Sequence, residues 1–209
     1  HFGTVWEHTM AVLGHLKSDS LELRMAALLH DIGKIRVRTV DDGKVHFLRH
    51  ELASADMVRD ILLTLRCSND FVNEVSFLVK NHMVCKAWGS ECDQLKTKKL
   101  RKLQYQCSTE ERFRRLMLLV DADNNAHAAD RCMPHQVELI MRRTEEMKRE
   151  GSAMFGYKLP LTGKDVMEIK GLEPGPKVKE CLGYLLKLAF VNPLRDKEEI
   201  VKHLKGYRL

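Results

Sequence analysis

Apolar residues recur at helical spacing through Val5–Leu16, Leu21–Leu29, Leu52–Leu65, Phe71–Val84, Phe113–Val120, Val137–Met147 and Val178–Leu188. A chain with that period along most of its length buries its apolar faces by packing helix on helix, so an all-α bundle is expected. One stretch departs from the period. "RVRTVDDGKVHF" alternates around an Asp-Asp-Gly turn and reads as a short hairpin or hairpin-like excursion between helices. Helix starts are marked by Ser68-Asn69-Asp70 and by the Ser-x-x-Glu spacing of Ser108 and Glu111. Periodicity lapses over residues 85–95, and again over 150–163, where "EGSAMFGYKLPLTG" collects glycines and a proline. The second lapse is expected to divide a larger helical domain, 1–150, from a small C-terminal helical region, 151–209.

No run of eighteen apolar residues occurs, which leaves no membrane-spanning helix, and nothing resembling a signal peptide follows His1. Helical pattern begins almost at His1, which suggests a piece cut from something longer. Cys67, Cys85, Cys92, Cys107, Cys132 and Cys181 are scattered with no C-x-x-C pair, the usage of a reduced cytoplasmic protein. A net charge of +6 favours an anionic partner, nucleic acid first.

The chemistry-bearing residues begin with "RMAALLHDIGKIRV", which sets His30 and Asp31 at the end of an apolar run. Neighbours on a helix diverge by about 100°, so this pair shares an ion only in the notch between the two side chains. A buried carboxylate is costly without a partner, and Asp31 needs a cation, hydrogen-bond donors or a proton. Lys34 could be that partner, leaving His30 to pack. His8 lies on a helix with His15 seven residues on, a spacing that shares a face. A lone histidine of this kind is more often a satisfied core residue than a ligand. His50-Glu51 opens the helix after the hairpin, His82 ends another, and Asp121 and Asp123 interrupt the apolar run of "LMLLVDADNNAHA". Asp is a poor helix former and expensive to bury. The two point to nearly opposite faces, so one can face a site while the other faces solvent.

In order and in texture, "EHTMAVL", "AALLHDIGK", "RHELASADMV" and "VDADNNA" resemble the HD superfamily of metal-dependent phosphohydrolases. "TGKDVM" followed by "PGPKV" is similar to the C-terminal segment of bacterial CCA-adding tRNA nucleotidyltransferases and the related poly(A) polymerases. The resemblance covers nearly the whole chain and is weakest over 85–112. It implies that His8, His30, Asp31 and Asp123 are ligands of a divalent metal, and that His50 and His82 bind a second metal or a phosphate. Asp31, Lys34, His50 and His82 are then the expected catalytic set, with Asp121 the rival of Asp123. His15, His46, His127 and His135 have no match and are read as structural or surface residues. Nucleotide transfer in that family belongs to an N-terminal domain with a Gly-Ser loop and paired aspartates, which this sequence does not contain, so no nucleotide addition is expected of it.

Histidine nitrogens and carboxylate oxygens suit Mn, Fe, Ni, Co or Zn, and tolerate Mg when few histidines bind. Such an ion polarises a phosphoryl oxygen and lowers the pKa of a bound water, and both effects serve phosphoester hydrolysis. Lys34 and Arg49 are candidates to neutralise a phosphate, or are solvated charges. "LKTKKLRKLQYQ" and "ERFRRL" collect Lys96, Lys98, Lys99, Arg101, Lys102, Arg112, Arg114 and Arg115. With Leu95, Leu100 and Leu103 they suggest a helix with one apolar and one basic face, either solvated or set against an RNA backbone. The C-terminal region is expected to pack and to support RNA binding without a catalytic residue. The expected function is hydrolysis of phosphoesters such as 2′,3′-cyclic or 2′-phosphates at RNA or nucleotide ends, with tRNA as the partner. A non-catalytic tRNA-binding scaffold and a free-standing nucleotidase are the alternatives.

Overall fold

A computed structural model describes residues 4–209. Thr4 Oγ1 accepts from Glu7 N while Glu7 reaches back to Thr4 N, a capping box that opens α1 (Val5–His15). Ser20 caps α2 (Leu21–Leu29), and a turn leads into the short α3 (Lys34–Val37). The expected hairpin follows. β1 (Thr39–Asp41) pairs antiparallel with β2 (Lys44–His46), Val40 opposite Val45. Asp42 and Gly43 both take positive φ, 47° and 73°, as a two-residue hairpin turn requires.

The chain continues through α4 (His50–Thr64), α5 (Asn69–Asn81), a 3₁₀ turn (Lys86–Trp88), α6 (Thr97–Cys107) and α7 (Glu110–Asn125). It ends with α8 (Gln136–Arg149), α9 (Gly163–Lys170), α10 (Pro176–Val191) and α11 (Lys197–Gly206). Ser68 caps α5 as expected, accepting from Phe71 N. The expected cap at Ser108 falls one residue further on: Thr109 Oγ1 accepts from Arg112 N at 3.2 Å, while Ser108, with φ 64°, closes α6. The hairpin is the only sheet among the described residues, and none of their helices is long and apolar enough to cross a membrane.

In place of a single cut at residue 150, the chain forms one unit from residues up to Gln94 with Arg114–Arg142, and another from Leu95–Phe113 with Arg143–Leu209. The second unit takes in α6 because its apolar side packs on α10.

In the first unit α4 lies along α5, α2 packs on α5, and α1 packs on α2. Val12, Leu23, Val58, Leu62, Val75 and Leu78 are buried there, each burial contributing about 1.5–3 kcal/mol. Gly33 sets the approach of the turn after Asp31 to α4. A Cβ at Gly33 would fall 2.3 Å from Ser54 N and 2.7 Å from the His50 carbonyl oxygen, and the glycine N–H donates to Ser54 Oγ at 2.9 Å.

In the second unit Met154, Leu161, Val166, Cys181, Leu185, Ile200 and Leu204 form the core. Arg101 corrects the basic face expected of α6. Lys96, Lys98, Lys99 and Lys102 are exposed, but Arg101 is buried. Its guanidinium donates to the carbonyls of Ser152 (3.1 Å), Phe190 and Val191. Phe190 and Val191 end α10, where carbonyls lack helical partners, so Arg101 works as a C-terminal cap and is spent on the fold.

Candidate metal centre

Each histidine of the expected set sits at or near a helix end or on the inner face of a helix. His8 is on the buried side of α1 with Val12. His30 closes α2, Asp31 follows in the turn, His50 is the first residue of α4, and His82 closes α5. Helix ends leave carbonyls free, and His30 and His82 use them, while His50 uses a carbonyl of the turn before α4. His30 Nδ1 donates to Ala27 O at 2.8 Å, His50 Nδ1 to Phe47 O at 2.9 Å, and His82 Nδ1 to Val79 O at 2.7 Å. The three carbonyls orient the rings and turn each Nε2 toward the cluster, where it donates when the ring is protonated and is a bare acceptor when the ring is neutral.

The Nε2 atoms converge on Asp31. Asp31 Oδ1 lies 3.1 Å from His50 Nε2 and 3.9 Å from His82 Nε2. Asp31 Oδ2 lies 3.3 Å from His30 Nε2 and 3.8 Å from His8 Nε2. His50 Nε2 and His82 Nε2 are 3.3 Å apart, and His8 Nε2 and His30 Nε2 are 3.4 Å apart. From the last turn of α7, Asp123 Oδ1 comes within 3.0 Å of His8 Nε2 and 3.9 Å of His30 Nε2. Asp121 turns away and accepts from Asn125 instead.

Acceptor atoms this close are reconciled only by shared protons or by a cation. Donors held about 2.0–2.2 Å from one ion stand roughly 3–3.5 Å from one another, the spacing found here. Three overlapping groups could each hold an ion: His8 with His30 and Asp31, Asp31 with His50 and His82, and His8 with Asp123 and His127. Asp123 Oδ2 is buried with no aligned hydrogen bond, a further sign that the donor set fits a cation.

Electrostatics agree. Burial alone would raise Asp31, but hydrogen bonds from His30 and His50 and the charges of His30 and Lys34 hold it far below the usual carboxylate range. Burial likewise opposes ionisation of Asp123, and the His8 hydrogen bond with the charges of Lys86 and His30 overcomes it. His82 is pushed down to about 3, first by burial and then by the charge of His30, so it is a neutral ligand-type ring. His30 is also buried, yet its hydrogen bond and charge contact with Asp31 hold it above its ordinary value.

Two residues of this cluster were not expected. His127, read as structural or surface, lies in the turn after α7, its Nε2 3.5 Å from Asp123 Oδ1 and its ring stacked on His8 at 4.8 Å. Its only sequence signal is the four-residue spacing from Asp123, which puts both on one helix face. Lys86, in a stretch that read as loop, brings Nζ 3.0 Å from Asp123 Oδ2. Lys34 is present as expected, but its amine is 2.5 Å from Asp31 Oδ2. Arg49 is exposed and caps α4 with φ 59°, and it is not on the cavity wall. That cavity, about 450 Å³, is lined by Asp31, Asp123, His8, His50, His82 and His127 together with Lys34, Lys86, Phe47 and Arg131; His30, fully buried, is not on its wall.

Residues 1–124, which carry this cluster through Asp123, match the HD domain family: the chain belongs to it. Among particular relatives, it is 30% identical over 214 residues, all of this chain, to the CC-adding tRNA nucleotidyltransferase of Thermus thermophilus. It is 32% identical over 193 residues, 87% of this chain, to the A-adding tRNA nucleotidyltransferase of Deinococcus radiodurans. The chain spans 46% and 42% of the lengths of these two proteins.

Proposed function

We propose that the HD centre is a metal-dependent phosphohydrolase acting on phosphoesters at RNA or nucleotide ends, such as 2′,3′-cyclic or 2′-phosphates. The observation that carries this reading is the convergence of His8, Asp31, His50, His82 and Asp123 on a cavity that also holds two amines, with His30 buried against His8 and Asp31. His8, His30, Asp31 and Asp123 hold the divalent ion, Mn, Fe, Ni, Co, Zn or Mg, and His50 and His82 with Asp31 hold a second ion or a phosphate. When bound, the ion supplies Lewis acidity toward a phosphoryl oxygen and a bound water of lowered pKa. The chain's own part is positional. Ala27, Phe47 and Val79 carbonyls aim the rings, Asp31 links the two histidine pairs through its two oxygens, and Lys34 balances its charge.

The tRNA relatives support RNA, tRNA in particular, as the partner, and the exposed Lys96, Lys98, Lys99 and Lys102 of α6 offer a surface for its phosphates. Arg114 is exposed in the other unit, whereas Arg115 lies 3.8 Å from Glu74. The test is hydrolysis of a 2′,3′-cyclic-phosphate RNA with Mn²⁺, by the protein and by His30→Ala and Asp31→Ala. Metal-dependent turnover abolished in both variants supports the reading. Salt-sensitive tRNA binding with no hydrolysis by the metal-loaded protein selects the scaffold instead.

A further inference from the structure

Lys86 has no part in the ligand set above, yet it is anchored as surface lysines are not. Its Nζ donates to Asn124 Oδ1 at 2.9 Å and to His127 Nε2 at 3.0 Å. Asn124 is fully buried, and its own Nδ2 donates to Gln136 Oε1 at 3.0 Å. Gln136, also fully buried, returns its Nε2 to the carbonyls of Cys85 and Gly89 at 3.0 and 2.7 Å. Those two carbonyls flank the 3₁₀ turn that carries Lys86. A single amide therefore fixes both the backbone under the lysine and the acceptor that aims its amine. Lysine carries about 2 kcal/mol of rotamer entropy, and holding it in advance removes that cost from any later contact.

An ammonium has three N–H donors. Lys86 spends two on Asn124 and His127, and the contact with Asp123 Oδ2 at 3.0 Å lacks hydrogen-bond alignment. On the opposite side of the site, Lys34 is bonded to Asp31. The two amines thus offset the two buried carboxylates, and the charge of a divalent ion among the histidines is left to be offset by an anion in the cavity.

We infer that Lys86 is the residue that recognises the substrate's phosphate, giving its third N–H to a non-bridging phosphate oxygen beside the metal centre. The inference rests on the phosphoester reading of the site and adds to it the group that binds the anion. Lys34 is less suited, because its hydrogen bond goes to the Asp31 carboxylate itself and its amine lies over the Phe47 ring, 5.7 Å from its centre, whereas the aligned hydrogen bonds of Lys86 go to the side chains of Asn124 and His127.

The test is binding of inorganic phosphate, measured by calorimetry on the full chain loaded with Mn²⁺. Lys86→Met is expected to weaken phosphate tenfold or more while elemental analysis finds its metal content unchanged. In the unsubstituted protein, phosphate is expected to slow acetylation of Lys86 several-fold and to leave that of the exposed Lys98 unchanged; this measurement decides alone should the variant not fold. The inference is overturned by phosphate affinity within twofold of the unsubstituted protein, by loss of metal from Lys86→Met, by no phosphate protection of Lys86, or by no phosphate binding at all. Phosphate binding needs no turnover. Lys86-dependent binding without any phosphoester hydrolysed keeps this inference and sinks the hydrolase reading; hydrolysis with Lys86-independent phosphate binding does the reverse.

Discussion

His50 and His82 meet through their Nε2 atoms, 3.3 Å apart, while the Nδ1 of each is tied to a carbonyl three residues earlier. When neutral, two rings whose Nδ1–H groups are committed elsewhere are a poor hydrogen-bonded pair and a good pair of ligands. The prediction is that His82→Ala binds fewer Mn²⁺ ions per chain than the unsubstituted protein and shows a smaller rise in melting temperature on adding Mn²⁺. Stoichiometry and melting shift both unchanged would reduce the pair to packing.

Gly33 makes the second case. With Ser54 N and the His50 carbonyl already within contact of any Cβ, Gly33→Ala must push the turn after Asp31 away from α4. Overpacking of this kind costs about 1–3 kcal/mol. Denaturant unfolding should show that loss, and metal affinity should fall with it, because the turn carries Asp31. A variant as stable as the parent, with its metal retained, would contradict the geometry.

Within one helix, Arg101 and its lysine neighbours should separate by function. Arg101→Met leaves the Ser152, Phe190 and Val191 carbonyls without their donor, and a loss of roughly 2–4 kcal/mol in unfolding free energy is expected, with several hydrogen bonds removed together. Lys98→Ala with Lys99→Ala should leave unfolding within about 0.5 kcal/mol and lower both the affinity for tRNA and its salt dependence. Equal tRNA affinity at low salt would remove α6 from the RNA surface.

A pH effect is expected away from the metal centre. Asp165 is held at about 2 by the Thr162 hydroxyl and backbone N–H, with Lys197 adding its charge. Its folded pKa is below the unfolded value, so the unfolded chain takes up the proton first as pH falls. The stabilisation is present above about pH 4 and disappears as pH drops through 2. Melting curves of the parent and Asp165→Asn should differ at pH 7 and converge near pH 2; a gap that stays constant would mean that the carboxylate's charge is not involved.

The helical period placed most of the helices, and the Asp-Asp-Gly turn placed the hairpin, because both signals are local: a face that repeats every few residues or a turn that needs positive φ. His30, Asp31 and Asp123 were legible for a related reason. Polar groups that are costly to bury stand inside apolar runs, and the resemblance to HD proteins joined them to His8, His50 and His82. His127 and Lys86 were not legible. Lys86 meets Asn124 from 38 residues away, across a stretch without periodicity, and the amide of Gln136 ties the two segments together. Arg101 shows the same limit in the other unit. Its position among lysines on α6 predicted a basic surface, but the carbonyl end of α10 arrives 89 and 90 residues later in the chain and takes the guanidinium. Local pattern determined which faces are apolar and which residues are costly to bury. Tertiary packing alone decided which helix end meets which side chain, because a repeating face carries no information about the partner that covers it.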